Sequence, residues 1–215
     1  MRLLVSAGPT REFLDPVRFL SNRSTGRMGY AVAAAGVAAG HAVTLVSGPV
    51  ALPPPPGLAA FVPIVSARDL LAALRDRLPD ADALVMTAAV ADFRPADAAP
   101  LKIHKGDMPA ELRLVRNPDI LEALRPLKGA RLFVGFAAET DAVLESAAAK
   151  LARKGLDLIV ANDVTRPGAG FEVDTNVVTF LAPDRAPEAL PLLSKTEVAR
   201  RLVARIEALA AARRP

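Results

Sequence analysis

Cysteine and tryptophan are both absent from this chain of 215 residues, and the aromatic complement is eight phenylalanines and one tyrosine. Without thiols there is no disulfide framework, no thiolate metal site and no cysteine nucleophile, and redox chemistry gives no pointer to secretion. Histidine is scarce too. His41 and His104 have no ligand partner at metal-binding spacing, and no Ser/His/Asp arrangement stands out. The formal net charge of +4 would suit a polyanion, yet few aromatics accompany it and the positive charges are scattered, so nucleic acid is not an expected partner. Long hydrophobic runs are missing: AVAAAGVAAG is alanine-rich and broken by glycine, and the N-terminus enters a strand with no leader pattern. The expectation is a soluble, cytoplasmic protein without membrane contact.

What is present is a chain 52% hydrophobic, ample for one core, and a single domain over residues 1–215 is expected. Continuous apolar runs recur as RLLVS, AVTLVS, FVPIV, ALVMTAAV, RLFVGFA and LDLIVAN, with helical segments between them. Runs buried on both faces and separated by helices predict a doubly wound, mostly parallel, Rossmann-like α/β sheet. Ser66 is placed as the N-cap of ARDLLAALRDRL, Asn117 as the cap of PDILEALRPL with Pro118 in its first turn, and Ser194 with Glu197 as a capping box. Residues 94–117 carry too many breakers and charges for a core element and follow a strand's carboxyl end, which predicts a flexible lid. The strand VVTFLA is expected to form an antiparallel edge or subunit contact, and PPPP at 53–56 a stiff surface connection.

The richest stretch is Ser6 to Gly29, SAGPTREFLDPVRFLSNRSTGRMG, where an apolar run breaks into a polar loop that opens a helix. Gly8 and Pro9 stop the strand, and Ser24, Gly26 and Gly29 leave a helix N-terminus open to an anion, so these residues are candidates for holding a phosphate or substrate. A dinucleotide fold is the first alternative, and it fails on detail. A long spacer separates GPT from the glycine pair, Ser24 fills the first glycine position, and the second strand ends in LVSGPV without a ribose-binding acid. An NAD(P)-dependent oxidoreductase is therefore the runner-up, and a non-catalytic nucleotide-binding regulator the third reading.

The other strand exits, TAAVADFRP, GFAAET and VANDV, are small and polar, which leaves room for a ligand. Asp92 is the best placed carboxylate for a magnesium ion or a nucleotide hydroxyl. Arginine outnumbers lysine 21 to 6, and four lysines fall in two pairs, Lys102 with Lys105 and Lys150 with Lys154. The second pair stands one turn apart on a helix, with Glu139 and Asp141 near its start, and suits a triphosphate; the first pair, in the insertion, suits closing over the same phosphates, and Arg18 and Arg27 would add to the charge.

The runs SAGPTREFLDPVRFLSNRSTGRMGYA, TLVSGPV, AAVADFRP, KIHK, NPDIL, VGFAAET and LARKGLDLIVAND, in this order, resemble bacterial phosphopantothenoylcysteine synthetase, the ligase half of a bifunctional coenzyme A biosynthesis flavoprotein. The resemblance implies a ligase that joins 4′-phosphopantothenate to cysteine, using CTP to form an acyl-cytidylate and releasing pyrophosphate and then CMP. It further implies catalytic roles for Asn22, Arg18 and Lys102, with Asn22 handling the intermediate, Arg18 serving the second half-reaction and Lys102 forming the intermediate. It assigns Ala88, Asp92, Lys102, Pro118, Asp119, Ile120, Leu121, Phe136, Lys150 and Lys154 to the CTP site, with magnesium (Mg2+) beside the triphosphate. One departure stands out: the family's KxKK motif has His104 at its third position here. The flavin-binding half is expected to be absent, so FMN is not expected to bind, and a homodimer is expected with its contact near VVTFLA.

Overall fold

The computed structural model describes residues 1–213 other than Met108, Thr140, Asp141, Val164, Pro167 and Phe171, and Glu139 by its backbone alone. The chain opens with β1 (Arg2–Ala7), β2 (Arg11–Phe13), β3 (Phe19–Ser21), α1 (Arg27–Ala38), β4 (Ala42–Ser47), β5 (Ala60–Pro63) and α2 (Ala67–Arg77). Its middle holds β6 (Ala83–Met86), β7 (Phe93–Pro95), β8 (Leu114–Arg116), α3 (Ile120–Leu124), β9 (Leu132–Glu139) and α4 (Val143–Lys154). It ends with β10 (Leu158–Asp163), β11 (Thr175–Asn176), β12 (Val178–Leu181), β13 (Glu188–Ala189), β14 (Leu193–Ser194) and α5 (Lys195–Ala211).

Alternation along the apolar runs builds two cores. In β1, Leu3, Val5 and Ala7 pack with Val32 and Ala33 of α1 and Leu202 and Ile206 of α5. Leu4 packs on the opposite side with Leu70 and Leu74 of α2, Leu124 of α3 and Ala147 of α4. One sheet of eight strands lies between them in the order β13-β12-β10-β9-β6-β1-β4-β5. The six strands from β5 to β10 are parallel, and β12 and β13 extend them antiparallel. Taken in chain order, the parallel strands read 3-2-1-4-5-6, the doubly wound order whose switch point lies between β1 and β6.

The run ALVMTAAV is strand only to Met86, because the residues after it turn to meet the exit loop of β1. Ala88 N–H donates to Ser6 Oγ (3.2 Å), Ala89 N–H to the Gly8 carbonyl (2.9 Å), and Thr10 N–H to the Ala89 carbonyl (3.2 Å). The insertion is not all loop: β7 and β8 pair as an antiparallel ribbon at its base. VVTFLA lies in the antiparallel edge as expected, where β13 pairs with the outer side of β12 at Thr179 and Phe180.

Two caps follow expectation in whole or part. Ser66 makes a full box with Asp69, whereas Ser194 Oγ accepts from Glu197 N–H (3.1 Å) and the Glu197 carboxylate turns to Arg200 and Arg201 instead. The α3 cap differs: Asp119 accepts from Glu122 N–H (3.2 Å), and Asn117 donates its amide to the Ala91 carbonyl (2.9 Å). Asn117 fastens the strand-exit loop rather than the helix.

Gly29 faces β1 so closely that a Cβ there would lie 2.3 Å from Thr87 Oγ1 and 2.5 Å from Ala7 Cβ. Gly29→Ala is expected to lower stability in urea unfolding by about 1–3 kcal/mol through overpacking. Gly106→Ala, where nothing lies within 4 Å, is expected to unfold as the parent does, and equal midpoints for the two variants would refute the packing role of Gly29.

Candidate functional site

Ligands of a doubly wound sheet bind outside the carboxyl ends of its strands. There, Ala88, Asp92, Pro118, Asp119, Ile120, Leu121, Phe136, Lys150 and Lys154 line a single cavity of about 340 Å³. They come from the loop after β6, the start of α3, β9 and one face of α4. A somewhat larger cavity, about 420 Å³, lies at the amino ends of β1 and β9, where Arg2 pairs with Asp82 and Arg213 with Asp157. Its position at the wrong end of the strands and its paired cations make it the weaker candidate.

In the first cavity Lys154 Nζ stands 2.9 Å from Asp119 Oδ2. Burial works to raise the Asp119 carboxyl, but the Lys154 bond and the Glu122 amide outweigh it and hold the group below the usual carboxylate range. Asp119 thus caps α3 and fixes Lys154 at the cavity wall. Asp92 is exposed, and its carbonyl accepts from Asn117 N–H (2.8 Å). Among the described residues no cluster of three or more acids and histidines gathers to hold a metal. A lone carboxylate fits a magnesium ion carried chiefly by phosphate oxygens and does not fit a protein cage. Asp141 and the Glu139 side chain lie outside the described residues.

A second, narrower cavity of about 70 Å³ adjoins the first on the α1 side of the sheet, and Phe136, half-buried within β9, lines both. Ser24, Gly26 and Gly29 line it, together with Arg27, Thr87, Asn162 and Lys195. Gly26 is the N-cap of α1 at φ 77°, and no side chain caps the helix, so its first N–H groups and its dipole face the cavity. Arg27 reaches Asp174 at 2.8 Å. Lys195 is buried and donates to the Gly170 carbonyl (2.8 Å); burial, then the Arg27 charge, lower its pKa against the pull of Asp174. Among the described residues, Asn162 Oδ1 is buried without a partner. Sequence reasoning named the VANDV exit but not Asn162 itself, and it missed Lys195, whose only visible signal was its place beside the Ser194 cap.

The remaining expected residues lie around these cavities rather than in their walls. Asn22 does not cap α1; its amide donates to the Ala89 carbonyl (3.1 Å), on the seam between β1 and β6. Gly8, at φ 73°, lines neither cavity: a Cβ there would press on the Gly48 carbonyl at 3.0 Å, and its own carbonyl accepts from Ala89 N–H, so it helps join the two strand-exit loops. Arg18 pairs with Asp15 at 2.9 Å and donates to the Ile103 carbonyl. Lys102 and Lys105 are exposed on the insertion and line neither cavity.

A doubly wound sheet with two adjoining cavities at its switch-point end, one with two lysines in its wall and one at the N-terminus of α1, defines a Rossmann-like α/β protein. Residues 1–209 match the family described as the DNA/pantothenate metabolism flavoprotein C-terminal domain, and the chain belongs to that family. It is 48% identical over 207 residues to the coenzyme A biosynthesis bifunctional protein CoaBC of Bacillus subtilis, covering 96% of this chain and 51% of that protein. The CoaBC of Escherichia coli K12 is 45% identical over 199 residues, 91% of this chain and 48% of that one. The chain therefore spans about half the length of the curated relatives it matches. A solved C-terminal domain of CoaBC is 42% identical with a TM-score of 0.82, covering 97% of this chain and 94% of that one. No helix among the described residues is long and apolar enough to cross a membrane.

The Asp119–Lys154 pair carries a pH dependence of definite sign. A carboxyl whose folded pKa is depressed stabilises the fold above its unfolded value near 3.9, and that contribution is lost as the pH falls through the lower folded value. In Lys154→Met the Asp119 carboxyl is expected to move up toward the ordinary range in a carbon-13 NMR titration; an unmoved midpoint would mean that the ion pair does not form in solution.

Proposed function

We propose that this chain is a phosphopantothenate–cysteine ligase that uses CTP and passes through an acyl-cytidylate. The observation that carries the reading is the convergence of nine residues, from four separate stretches of chain, on one cavity that shares Phe136 with the α1 N-terminus. The names of the CoaBC relatives support it.

A free carboxylate acylates an amine poorly because its leaving group would be oxide. Attack of the 4′-phosphopantothenate carboxylate on the α-phosphorus of CTP breaks the bond to pyrophosphate and forms a mixed anhydride. The cysteine amine then attacks the acyl carbon, and CMP departs with the bonding electrons. In this scheme Lys150 and Lys154 hold phosphate oxygens in the larger cavity, and Ala88, Pro118, Asp119, Ile120 and Leu121 shape it for the nucleotide, with the Phe136 ring as a face for the base. Asp92 would hold the magnesium ion, whose chemistry is to neutralise triphosphate charge. The helix N-terminus behind Ser24, Gly26 and Gly29 receives the acyl substrate's phosphate, assisted by Arg27. Asn22 donates to the developing oxyanion, worth roughly 3 kcal/mol where such donors have been removed in other enzymes. A homodimer belongs to the same reading, and light scattering that returns the mass of one chain at micromolar concentration would count against it.

The strand order equally suits a dinucleotide, so NADH fluorescence titration is a direct control, with no binding expected. The deciding assay is pyrophosphate release with CTP, magnesium and 4′-phosphopantothenate, with and without cysteine. Cysteine-dependent turnover with CMP formation is expected; CTP binding without pyrophosphate would leave a nucleotide-binding regulator. Lys102→Gln is expected to slow intermediate formation by about 10²–10³-fold, the scale of losing one transition-state donor. Asn22→Asp should instead let the acyl-cytidylate accumulate in a quench experiment, and equal small losses in both variants would refute this division of roles.

A further inference from the structure

The carboxylate of Asp15 has no exposed side-chain surface, and its contacts reach out of the loop that carries it. Oδ1 accepts from the Val17 and Arg18 N–H groups, both at 2.8 Å, and closes the turn DPVR. Oδ2 accepts from the Arg18 guanidinium at 2.9 Å and from Ile103 N–H at 3.2 Å. The same Arg18 guanidinium donates to the Ile103 carbonyl. Ile103 is thus held at both its N–H and its carbonyl, and the peptide bond that supplies the N–H is the one it shares with Lys102. One residue earlier in the gripping loop, the Leu14 carbonyl accepts from Ala99 N–H (2.8 Å), so the insertion is tied down at two points. Around Ile103, which is half-buried, Leu101, Lys102, His104, Lys105 and Gly106 are all exposed.

We propose that Asp15 is a positioning residue for Lys102, a latch that works with Arg18 to set where the insertion delivers its lysine. The inference rests on the reading of Lys102 given above. A lysine carries a flexible four-carbon stem, so its ammonium is placed only as well as its backbone is anchored, and a misplacement of about 1 Å can cost about 10²-fold in rate. The charge of Asp15 is part of the device. Burial works to raise its carboxyl, but the amides of Val17, Arg18 and Ile103 and the Arg18 charge outweigh it and keep it below the ordinary range, ionised and able to accept every bond. An asparagine of the same size keeps Oδ1 for the turn but sets an NH2 against the Ile103 N–H and the Arg18 guanidinium, donor against donor. The latch also places the guanidinium of Arg18 on the insertion's backbone as well as on Asp15.

Asp15→Asn tests this with a readout independent of the reaction and one within it. Amide hydrogen exchange at Ile103 and its neighbours is expected to quicken by about 10-fold or more, as befits a lost bond to a charged acceptor, while exchange in β1 and β6 stays as in the parent. Pyrophosphate release should slow by about 10- to 100-fold with little change in KM for CTP, whose cavity the latch does not line. Because the latch acts through Lys102, adding Asp15→Asn to Lys102→Gln should cost less than 2-fold further. Ile103→Pro, which deletes the gripped N–H from the other side, should reproduce the slowing if Asp15→Asn fails to fold. Unchanged exchange at Ile103, or losses that multiply in the double variant, would overturn the proposal. If the parent releases no pyrophosphate at all, the ligase reading fails, and the exchange rates alone decide whether the latch exists.

Discussion

The burial of β1 on both faces is the constraint from which the site follows. Leu3, Leu4 and Val5 are at most 2% exposed, each facing one of two helix layers, so the chain must leave β1 over one face and return to its other neighbour, β6, over the opposite one. The two carboxyl ends therefore diverge, and the backbone groups released there need partners. They find them in one another: Gly8 with Ala89, Thr10 with Ala89, and Ser6 Oγ with Ala88. Asn22 adds its amide to the Ala89 carbonyl, so the loop after β3 is hung on the same seam, and the bare end of α1 follows four residues later.

Elements set by long-range apolar burial were legible in the chain, because a run such as LDLIVAN has few other ways to satisfy itself. The caps were legible where one side chain decides them, as at Ser66. They were not where two candidates stood close: Asn117 and Asp119 both suit a cap, and the choice is made by Lys154, 35 positions on, which draws Asp119 to the helix while Ala91 takes the Asn117 amide. The ribbon of β7 and β8 escaped notice because three-residue strands 18 positions apart leave no periodic signal. Motif resemblance had grouped nine residues that the fold brings to one cavity, though Lys102, grouped with them, lines neither cavity. Lys195 was not, since only the fold carries the end of β14 back beside α1 and buries an ammonium there.

Three of the cations around the two cavities are already engaged. Lys154 holds Asp119, Arg27 holds Asp174, and Arg23 holds Glu172. An anionic ligand consequently exchanges ion pairs within the protein for ion pairs with itself, and the net Coulomb gain per lysine or arginine is smaller than a count of positive charges suggests. The N-terminus of α1 is different in kind. Its N–H groups have no competing side-chain acceptor at the cap, and no acidic residue occupies its first turn. Fixed dipoles need no rearrangement when a phosphate arrives, so in the proposed function this end of the cavity pair is the steadier receptor, with the side-chain charges tuning affinity around it.

That contrast bears on how binding and chemistry are divided in the proposed reaction. Strand tips and helix starts held by the sheet supply most of the wall of the cavity that holds Lys150 and Lys154, and the base of the insertion adds Arg116 and Asn117. In the proposal above, Lys102 is placed by two grips on the insertion, at Ala99 and at Ile103, both made by the loop between β2 and β3 that carries the buried Asp15 carboxylate. In that reading substrate affinity resides chiefly in the strand exits, while the lysine assigned to forming the intermediate rides on the insertion. In the proposed reaction the two tasks are thereby separable: loss of the Asp15 latch would misplace Lys102 while leaving most of the cavity wall as it is.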